Sequence, residues 1–207
     1  TLLLACGVFL LVREHVLLPD PDFVMPETPA PTPEPTPEPT PVPGETPVPT
    51  PSPTPYVRPV PVRISFVEAK QSCEVFPGGV LENGQMEVID RADAATWLEN
   101  VSGSLRPAPG EEGNAIIAGH KSKDGVAGTF KVLWDAKAGD AVVIDYEDGP
   151  QGWFYIDSID RYPYQEVPAS VMSANAESPQ LTLITCIGEW DSSGGTSSER
   201  LVAVCKP

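Results

Sequence analysis

The sequence predicts one mainly β domain, a closed or nearly closed β-barrel, behind a proline-rich segment. The chain has 207 residues and 26 prolines, and most of the prolines fall between Pro19 and Pro61. After residue 61 a helical period is nearly absent, while short apolar or alternating runs recur between turn signals. About seven strands with few helices, in a stretch of about 145 residues, are typical of a barrel around one hydrophobic core.

The strand candidates are short runs of apolar and β-branched residues. They cover residues 62–67, 85–88, 114–118, 141–146, 152–159, 181–186 and 201–205. The Glu-Asp-Gly-Pro sequence at 147–150 predicts a hairpin turn between the fourth and fifth of them. Short helices are expected over 92–99 and 168–174.

Residues 1–18 predict the end of a truncated signal anchor. The apolar run TLLLACGVFLLV is too short to cross a bilayer, and we expect residues upstream to complete a span of about 20. A cleaved signal peptide is one alternative. A lipoprotein is another, because the sequence Leu-Leu-Ala-Cys ending at Cys6 faintly resembles a lipobox.

Residues 19–61 predict a stalk or linker. The segment repeats Thr-Pro and Glu-Pro dipeptides, which favour polyproline II and bury little apolar surface. Such a segment spaces a domain from a membrane, although it can equally be a ligand for another protein's groove. The order is then anchor, stalk and a catalytic domain over 62–207.

The charge of the chain argues against one class of partner. Its formal net charge is -16 at pH 7. An acidic domain without a stripe of lysine and arginine repels a phosphate backbone, so we expect no nucleic-acid partner.

His120 is the lone histidine of the predicted domain and ends the run NAIIAGH. An apolar strand followed by Gly119 delivers the imidazole to the rim of a sheet, where loops and substrates meet. A lone histidine is more often a surface or structural residue, so this position alone is a weak signal.

Cys186 ends the run LTLITC, and Arg200 begins the next strand. Period-two alternation places Thr182, Ile184 and Cys186 on one face. If the two strands pair symmetrically about position 193, with a flexible loop over 187–199, Arg200 lies opposite Cys186. The alternatives are a small buried cysteine and an arginine that merely starts an exposed strand.

A histidine, a cysteine and an arginine at one rim are the parts of an acyl-transfer site. An ordinary cysteine thiol has a pKa near 8.5, so a neighbouring histidine is needed to supply the reactive thiolate near pH 7. His120 would also protonate the leaving amine. Arg200 stays charged and would donate hydrogen bonds to the substrate carbonyl or the developing oxyanion.

At these residues the sequence resembles the sortases, the cysteine transpeptidases of mainly Gram-positive bacterial surfaces. IIAGH resembles the family's strand ending in Ala-Gly-His, LTLITC its Thr-Leu-x-Thr-Cys motif, and the arginine of ERLVAV its catalytic arginine. The resemblance implies an eight-stranded sortase β-barrel with short helices. It implies catalytic roles for His120, Cys186 and Arg200, and a peptide groove lined by Ala118, Thr182 and Ile184.

The resemblance also implies a reaction and its partners. An LPXTG-like sorting signal on a surface protein would be cleaved between Thr and Gly through a thioacyl enzyme, and a peptidoglycan precursor or pilin amine would resolve it. The enzyme would sit on the outer face of the cell membrane, held by its anchor. No cofactor or metal is implied, and dependence on calcium is left open. GNAIIAGH, the proline-rich stalk and the short C-terminus suggest a class D, E or F-like member.

Two further hypotheses accompany this one. A non-catalytic wall-binding or adhesion module on a stalk would need no reactive thiol. An L,D-transpeptidase would keep the thiol chemistry, but its Ser-x-Gly-Cys pattern is absent from the sequence. Cys73 and Cys205 are the remaining pair outside the predicted anchor, and a disulfide between them is an open possibility.

Overall fold

The structure, a computed structural model, describes residues 56–192 and 194–207. The predicted anchor (1–18) and most of the predicted stalk (19–61) lie outside the described residues. Among those described, strands dominate. They are β1 (Pro61–Phe66), β2 (Gln71–Gly78), β3 (Ala94–Leu98), β4 (Asn100–Val101), β5 (Ser104–Leu105), β6 (Asn114–Gly119), β7 (Ser122–Lys123), β8 (Val126–Ala127), β9 (Ala141–Tyr146), β10 (Gln151–Pro163), β11 (Gln180–Asp191) and β12 (Thr196–Lys206).

Eight of these strands close into a barrel in the order β1-β2-β3-β6-β11-β12-β10-β9, and β9 pairs back with β1. The predicted closed, eight-stranded β-barrel is therefore confirmed. Most neighbours are antiparallel, but β2 with β3 and β6 with β11 are parallel. Closure removes the free sheet edges that would otherwise invite pairing with other chains.

The core fills the inside of the barrel, and alternation along the strands decides which side chains reach it. On β11, Leu181 and Leu183 are fully buried in this core. Thr182 and Ile184, which alternate with these leucines along β11, face the other side of the sheet. A 3-10 helix, η1 (Thr129–Trp134), covers one end of the barrel and adds its buried Phe130 and Leu133 to the core.

Six of the seven predicted strands lie in or largely within barrel strands. The seventh, 85–88, is wrong, because this stretch forms only an isolated bridge between Val80 and Met86. Its alternating pattern reflects a loop packed against the sheet. The strand β2 and the helix η1 were not predicted.

The helix predicted over 92–99 is wrong, because its centre is β3. Every residue of β3 is buried, including Trp97. A short apolar run that is covered on both faces has no period-two pattern and cannot be told from a buried helix by its sequence.

The helix predicted over 168–174 is also wrong. Successive i→i+3 hydrogen bonds from Val171, Met172 and Ser173 make it a series of turns. The flexible loop expected over 187–199 is a continuation of the β11–β12 hairpin, since β11 runs to Asp191 and β12 starts at Thr196. A bulge shifts the register between Ile187 and Trp190.

Candidate active site

Three neighbouring strands bring the predicted catalytic residues to one edge of the barrel. In the parallel pair of β6 and β11, Ala118 lies opposite Ile184. His120 and Cys186 each follow two residues after this pair, so they lie at the same level, His120 just past the end of β6 and Cys186 within β11. In the antiparallel pair of β11 and β12, Cys186 lies opposite Arg200. Symmetry about position 193 predicts that residues 186 and 200 face each other, and the structure confirms this pairing.

The three side chains line one cavity of about 450 Å³. Each of them is half-buried, which leaves it accessible from the cavity. A thiol, an imidazole and a guanidinium around one cleft can carry out nucleophilic attack, proton transfer and stabilisation of an oxyanion.

The strand ends beneath the cavity are tied together by side chains. The parallel ladder of β6 and β11 ends at Ala118 and Ile184. Beyond it, the buried Thr185 hydroxyl donates a hydrogen bond to the carbonyl of Gly119 at 2.8 Å. On the other side of the same strand, Trp134 Nε1 of η1 donates to the carbonyl of Cys186 at 3.2 Å. The backbone on both sides of the cavity is therefore fixed.

Gly119 allows η1 to pack against the strand that carries His120. A Cβ at position 119 would lie 2.4 Å from a carbon of the Phe130 ring, a distance that real Cβ contacts do not show. Phe130 is itself fully buried and packs edge-on against Phe66. The glycine of the Ala-Gly-His sequence is thus a packing requirement that places the imidazole.

The environment of His120 lowers the pKa of its imidazole. Burial is the main cause and the charge of Lys123 adds to it, whereas Asp90 and a hydrogen bond with the Ile89 backbone act in the opposite direction. Nε2 is buried and has no hydrogen-bond partner among the described residues.

Arg200 is held by its own hairpin and by an aromatic ring. Its guanidinium donates to the carbonyls of Ser197 and Glu199 at 3.0 and 3.2 Å, and to the Thr196 hydroxyl at 2.8 Å. The guanidinium carbon lies 5.6 Å from the centre of the Tyr164 ring, within the range of a cation–π contact. These contacts fix the side chain opposite Cys186 and use only part of its donor set.

The family of this chain follows from a comparison with protein-family models. The sortase domain model matches residues 75–207, more than half of the chain, and the match includes all three side chains of the cavity. The chain belongs to the sortase family. The resemblance carried by IIAGH, LTLITC and ERLVAV is confirmed, and sortases are cysteine transpeptidases. A search of curated proteins gives no match.

Solved sortase structures have the same fold. Sortase E1 from Streptomyces coelicolor with a tripeptide in the active site is 18% identical, with a TM-score of 0.54, over 72% of this chain and 87% of that chain. Sortase A from Corynebacterium diphtheriae is 23% identical, with a TM-score of 0.49, over 72% and 60%. A lid mutant of Streptococcus agalactiae sortase C1 is 18% identical, with a TM-score of 0.49, over 70% and 66%. The chain spans less than two thirds of the last two structures.

The three predicted groove residues differ in their position relative to the cavity of this sortase-family barrel. Ala118 and Ile184, two of the three predicted groove residues, line it directly. Thr182 does not line it. Its buried hydroxyl donates to Asn114 Oδ1 at 2.7 Å, underneath the wall. That any of the three binds a peptide stays a prediction.

Several residues of these walls were missed by the sequence analysis. They come from the β2–β3 and β10–β11 connections and from the hairpin, and include Leu81, Met86, Tyr164, Val167, Met172 and Thr196. No sequence signal ties these residues to the site, because loop residues distant along the chain meet only in the folded barrel.

The other described cysteines are free thiols inside the barrel, so the possible disulfide is not formed. Burial raises the pKa of Cys73 to about 11 and that of Cys205 to about 12. Since the thiolate is the reactive form, both are poor nucleophiles.

Within residues 56–192 and 194–207, no cluster of three or more His, Cys, Asp or Glu is placed to hold a metal. The same stretch contains no helix with the length and apolar character needed to cross a bilayer.

Proposed function

We propose that the protein is a sortase-type transpeptidase that uses Cys186 as nucleophile, His120 as proton donor and Arg200 as electrostatic stabiliser. One observation carries the proposal: the parallel register of β6 with β11 and the antiparallel register of β11 with β12 bring three distant side chains to one cavity. Family membership supports it, because the matched region contains all three residues.

The reaction begins with attack of the Cys186 thiolate on the carbonyl carbon of the threonine in an LPXTG-like sorting signal. A tetrahedral intermediate forms, and its oxyanion accepts hydrogen bonds from Arg200. As the Thr–Gly bond breaks, the imidazolium of His120 gives its proton to the glycine amine. His120 lines the same cavity as Cys186, which is where this transfer would take place. An amine then attacks the thioester and gives a proton to the neutral imidazole of His120. The carbon–sulfur bond breaks, the Cys186 thiolate is released and a new amide bond is formed.

The partners in this proposal are surface proteins that carry a sorting signal, and an amine of a peptidoglycan precursor or a pilin. We place the enzyme on the cell membrane with its barrel outside, through the anchor and stalk expected from residues 1–61. Assignment to a class D, E or F-like group belongs to the proposal as well. The groove roles of Ala118 and Ile184 are supported by their position in the cavity wall.

The first experiment incubates the purified chain with an LPXTG-type peptide and follows release of the glycine fragment. We expect cleavage, a thioacyl adduct on Cys186 visible by mass spectrometry, and complete loss of both in Cys186→Ala. A Cys186→Ala protein that still cleaves would refute the mechanism.

The role of Arg200 is tested by Arg200→Lys, which keeps the charge and loses the planar set of donors. We expect kcat/KM to fall about 100-fold, the usual cost of an oxyanion donor. Arg161→Lys, an exposed arginine on β10, is the matched control and is expected to have no effect. Equal rates for wild type and Arg200→Lys would remove Arg200 from the mechanism.

The proposed chemistry uses a thiol, an imidazole and a guanidinium, and we expect it to need no cofactor or metal. The measurement is peptide cleavage with added EDTA and with added calcium. Cleavage that persists in EDTA supports the proposal, and loss of cleavage in EDTA contradicts it. The rate with added calcium measures the dependence that the resemblance leaves open.

A further inference from the structure

The segment of residues 168–176, here called the partition, separates two cavities. Met172 lines the cavity that contains Cys186. Ala174 and the two residues after it line a separate open cleft of about 1160 Å³. Because the partition is built from turns, its position depends on contacts with the barrel.

Asn114 at the start of β6 holds the partition from below. Its side-chain nitrogen donates to the carbonyls of Val171 and Ser173 at 3.1 and 3.0 Å, and its backbone nitrogen to the carbonyl of Ala174 at 2.8 Å. Its side-chain oxygen accepts from Thr182 at 2.7 Å. Asn114 is 1% exposed, so these bonds are made away from solvent, where losing one is costly.

Arg106 holds the same segment from the side of the open cleft. Its terminal nitrogen donates to the carbonyl of Met172 at 2.7 Å. Its Nε is buried and has no hydrogen-bond partner among the residues that the structure describes. A buried donor without a partner costs free energy. The bond to the Met172 carbonyl is thus the contact through which the Arg106 guanidinium acts on the partition.

The chain preceding β1 fixes the backbone of Arg106. Arg58 donates a hydrogen bond to the Arg106 carbonyl. The Arg58 guanidinium lies 4.7 Å from the Trp97 ring centre and forms an ion pair with Glu111 at 3.5 Å. The backbone nitrogen of Arg106 donates to the carbonyl of Glu99 at 2.7 Å. The last residues of the predicted stalk are thus linked through Arg106 to the wall of the candidate catalytic cavity.

We propose that Arg106 is a positioning residue that, together with Asn114, holds Met172 in the wall of the cavity where the sorting peptide binds. The inference rests on the proposed function and deepens it. Arg106 touches no reacting atom in this proposal. It sets the shape of the groove, and therefore affects peptide binding more than the chemical step.

The test compares Arg106→Met with Arg63→Met in the full chain. Arg63 is a partly exposed arginine on β1 that bonds Ser72 and Asp145 and has no contact with the partition. In Arg106→Met we expect the amides of Val171, Met172 and Ser173 to exchange hydrogen about tenfold faster, since a charged hydrogen bond is lost. We expect KM for the peptide to rise about five- to tenfold, with kcat within about twofold and Tm nearly unchanged. Arg63→Met is expected to match wild type in all four quantities.

Two further variants guard against misfolding. Arg106→Lys keeps a charged donor and is expected to give an intermediate KM, even if Arg106→Met fails to fold. Arg58→Met removes the hydrogen bond to the Arg106 carbonyl, together with the Glu111 ion pair and the contact with Trp97, and leaves the bond from Arg106 to Met172 in place. It is expected to raise KM by a smaller factor than Arg106→Met.

Unchanged exchange and unchanged KM in Arg106→Met would overturn the inference. A lower Tm together with a lower kcat at unchanged KM would also overturn the inference, because a residue with a purely structural role would give that result. Failure of the proposed function is recognised differently: the wild-type chain then cleaves no sorting peptide, whatever the exchange rates of the partition.

Discussion

The pKa of the His120 imidazole depends on its burial and on two nearby charges. Burial and Lys123 lower the pKa of its imidazole, and Asp90 raises it. Lys123 and Asp90 also form an ion pair at 2.6 Å, so the two charges largely offset each other. The lowered pKa of the proposed proton donor is therefore due mainly to the burial of its imidazole.

Replacement of Lys123 by glutamine is expected to raise the pKa of His120. The positive charge that disfavours the imidazolium is removed, and Asp90 loses its partner, so both effects act upward. The measurement is an NMR titration of the imidazole protons in the full chain, which contains two histidines. Lys206→Gln, which breaks a similar ion pair with Asp157, is the control. A downward shift, or an equal shift in the control, would contradict this assignment.

The lowered pKa of His120 predicts how the free energy of unfolding changes with pH. His120 has a lower pKa in the folded chain than its usual value of 6.5, so the unfolded chain binds more protons between the two values. The contribution of His120 to the free energy of unfolding is complete above pH 6.5 and is lost as the pH falls through the folded pKa. In Lys123→Gln the folded and unfolded pKa values of His120 lie closer together, so the pH range over which this contribution is lost becomes narrower. Urea unfolding of wild type and Lys123→Gln at pH 5 to 7 measures the difference.

Sequence reasoning brought His120, Cys186 and Arg200 together because each lies at the start or the end of a recognisable apolar run. The facing of Cys186 and Arg200 followed from hairpin symmetry alone. The contact of Tyr164 with Arg200 did not, since Tyr164 follows β10 and nothing in its local sequence indicates which strand end it covers.

At the scale of the element, the junction of β6 with η1 is the part of the fold that determines where His120 lies. Gly119 leaves no room for a side chain beneath Phe130. The sequence Ala-Gly-His therefore depends on a helix ten residues further on, which the sequence analysis did not predict.

Gly119→Ala is expected to lower the free energy of unfolding by about 1–3 kcal/mol, the usual cost of overpacking. Glycine-to-alanine changes without a clash usually stabilise slightly, so the sign is informative. Phe130→Leu removes ring atoms at this contact. In the double variant the two losses are expected to be less than additive, as measured by urea denaturation. Strictly additive losses would show that the Cβ meets no resistance from the ring.

The error at β3 has a different physical origin. Its residues pair in parallel with β2 and are covered on both faces. Burial on both faces removes the alternation on which strand prediction depends, and the alanines favour a helix in isolation. Tertiary pairing overrides this local preference.

At the scale of the whole molecule, barrel closure separates the cysteines into two kinds. Cys186 faces the cavity, whereas Cys73 and Cys205 are 3% and 0% exposed within the core. We expect iodoacetamide near neutral pH to modify Cys186 in the native chain and to modify the two core thiols only in urea. Peptide mapping by mass spectrometry distinguishes them. Equal rates for Cys186 and Cys205 without urea would mean that the barrel opens readily.

The sequence by itself determined the β class, most strand positions, the hairpin register of Cys186 with Arg200 and the family motifs. These features depend on side-chain alternation, turn residues and spacing, which are local properties of the chain. Only the tertiary structure decided the parallel pairing of β6 with β11, the packing of Phe130 on Gly119 and the hydrogen bonds of Arg106 and Asn114 to the partition. Each of these joins segments far apart in sequence, and the free energy that selects them comes from closing one barrel around one core.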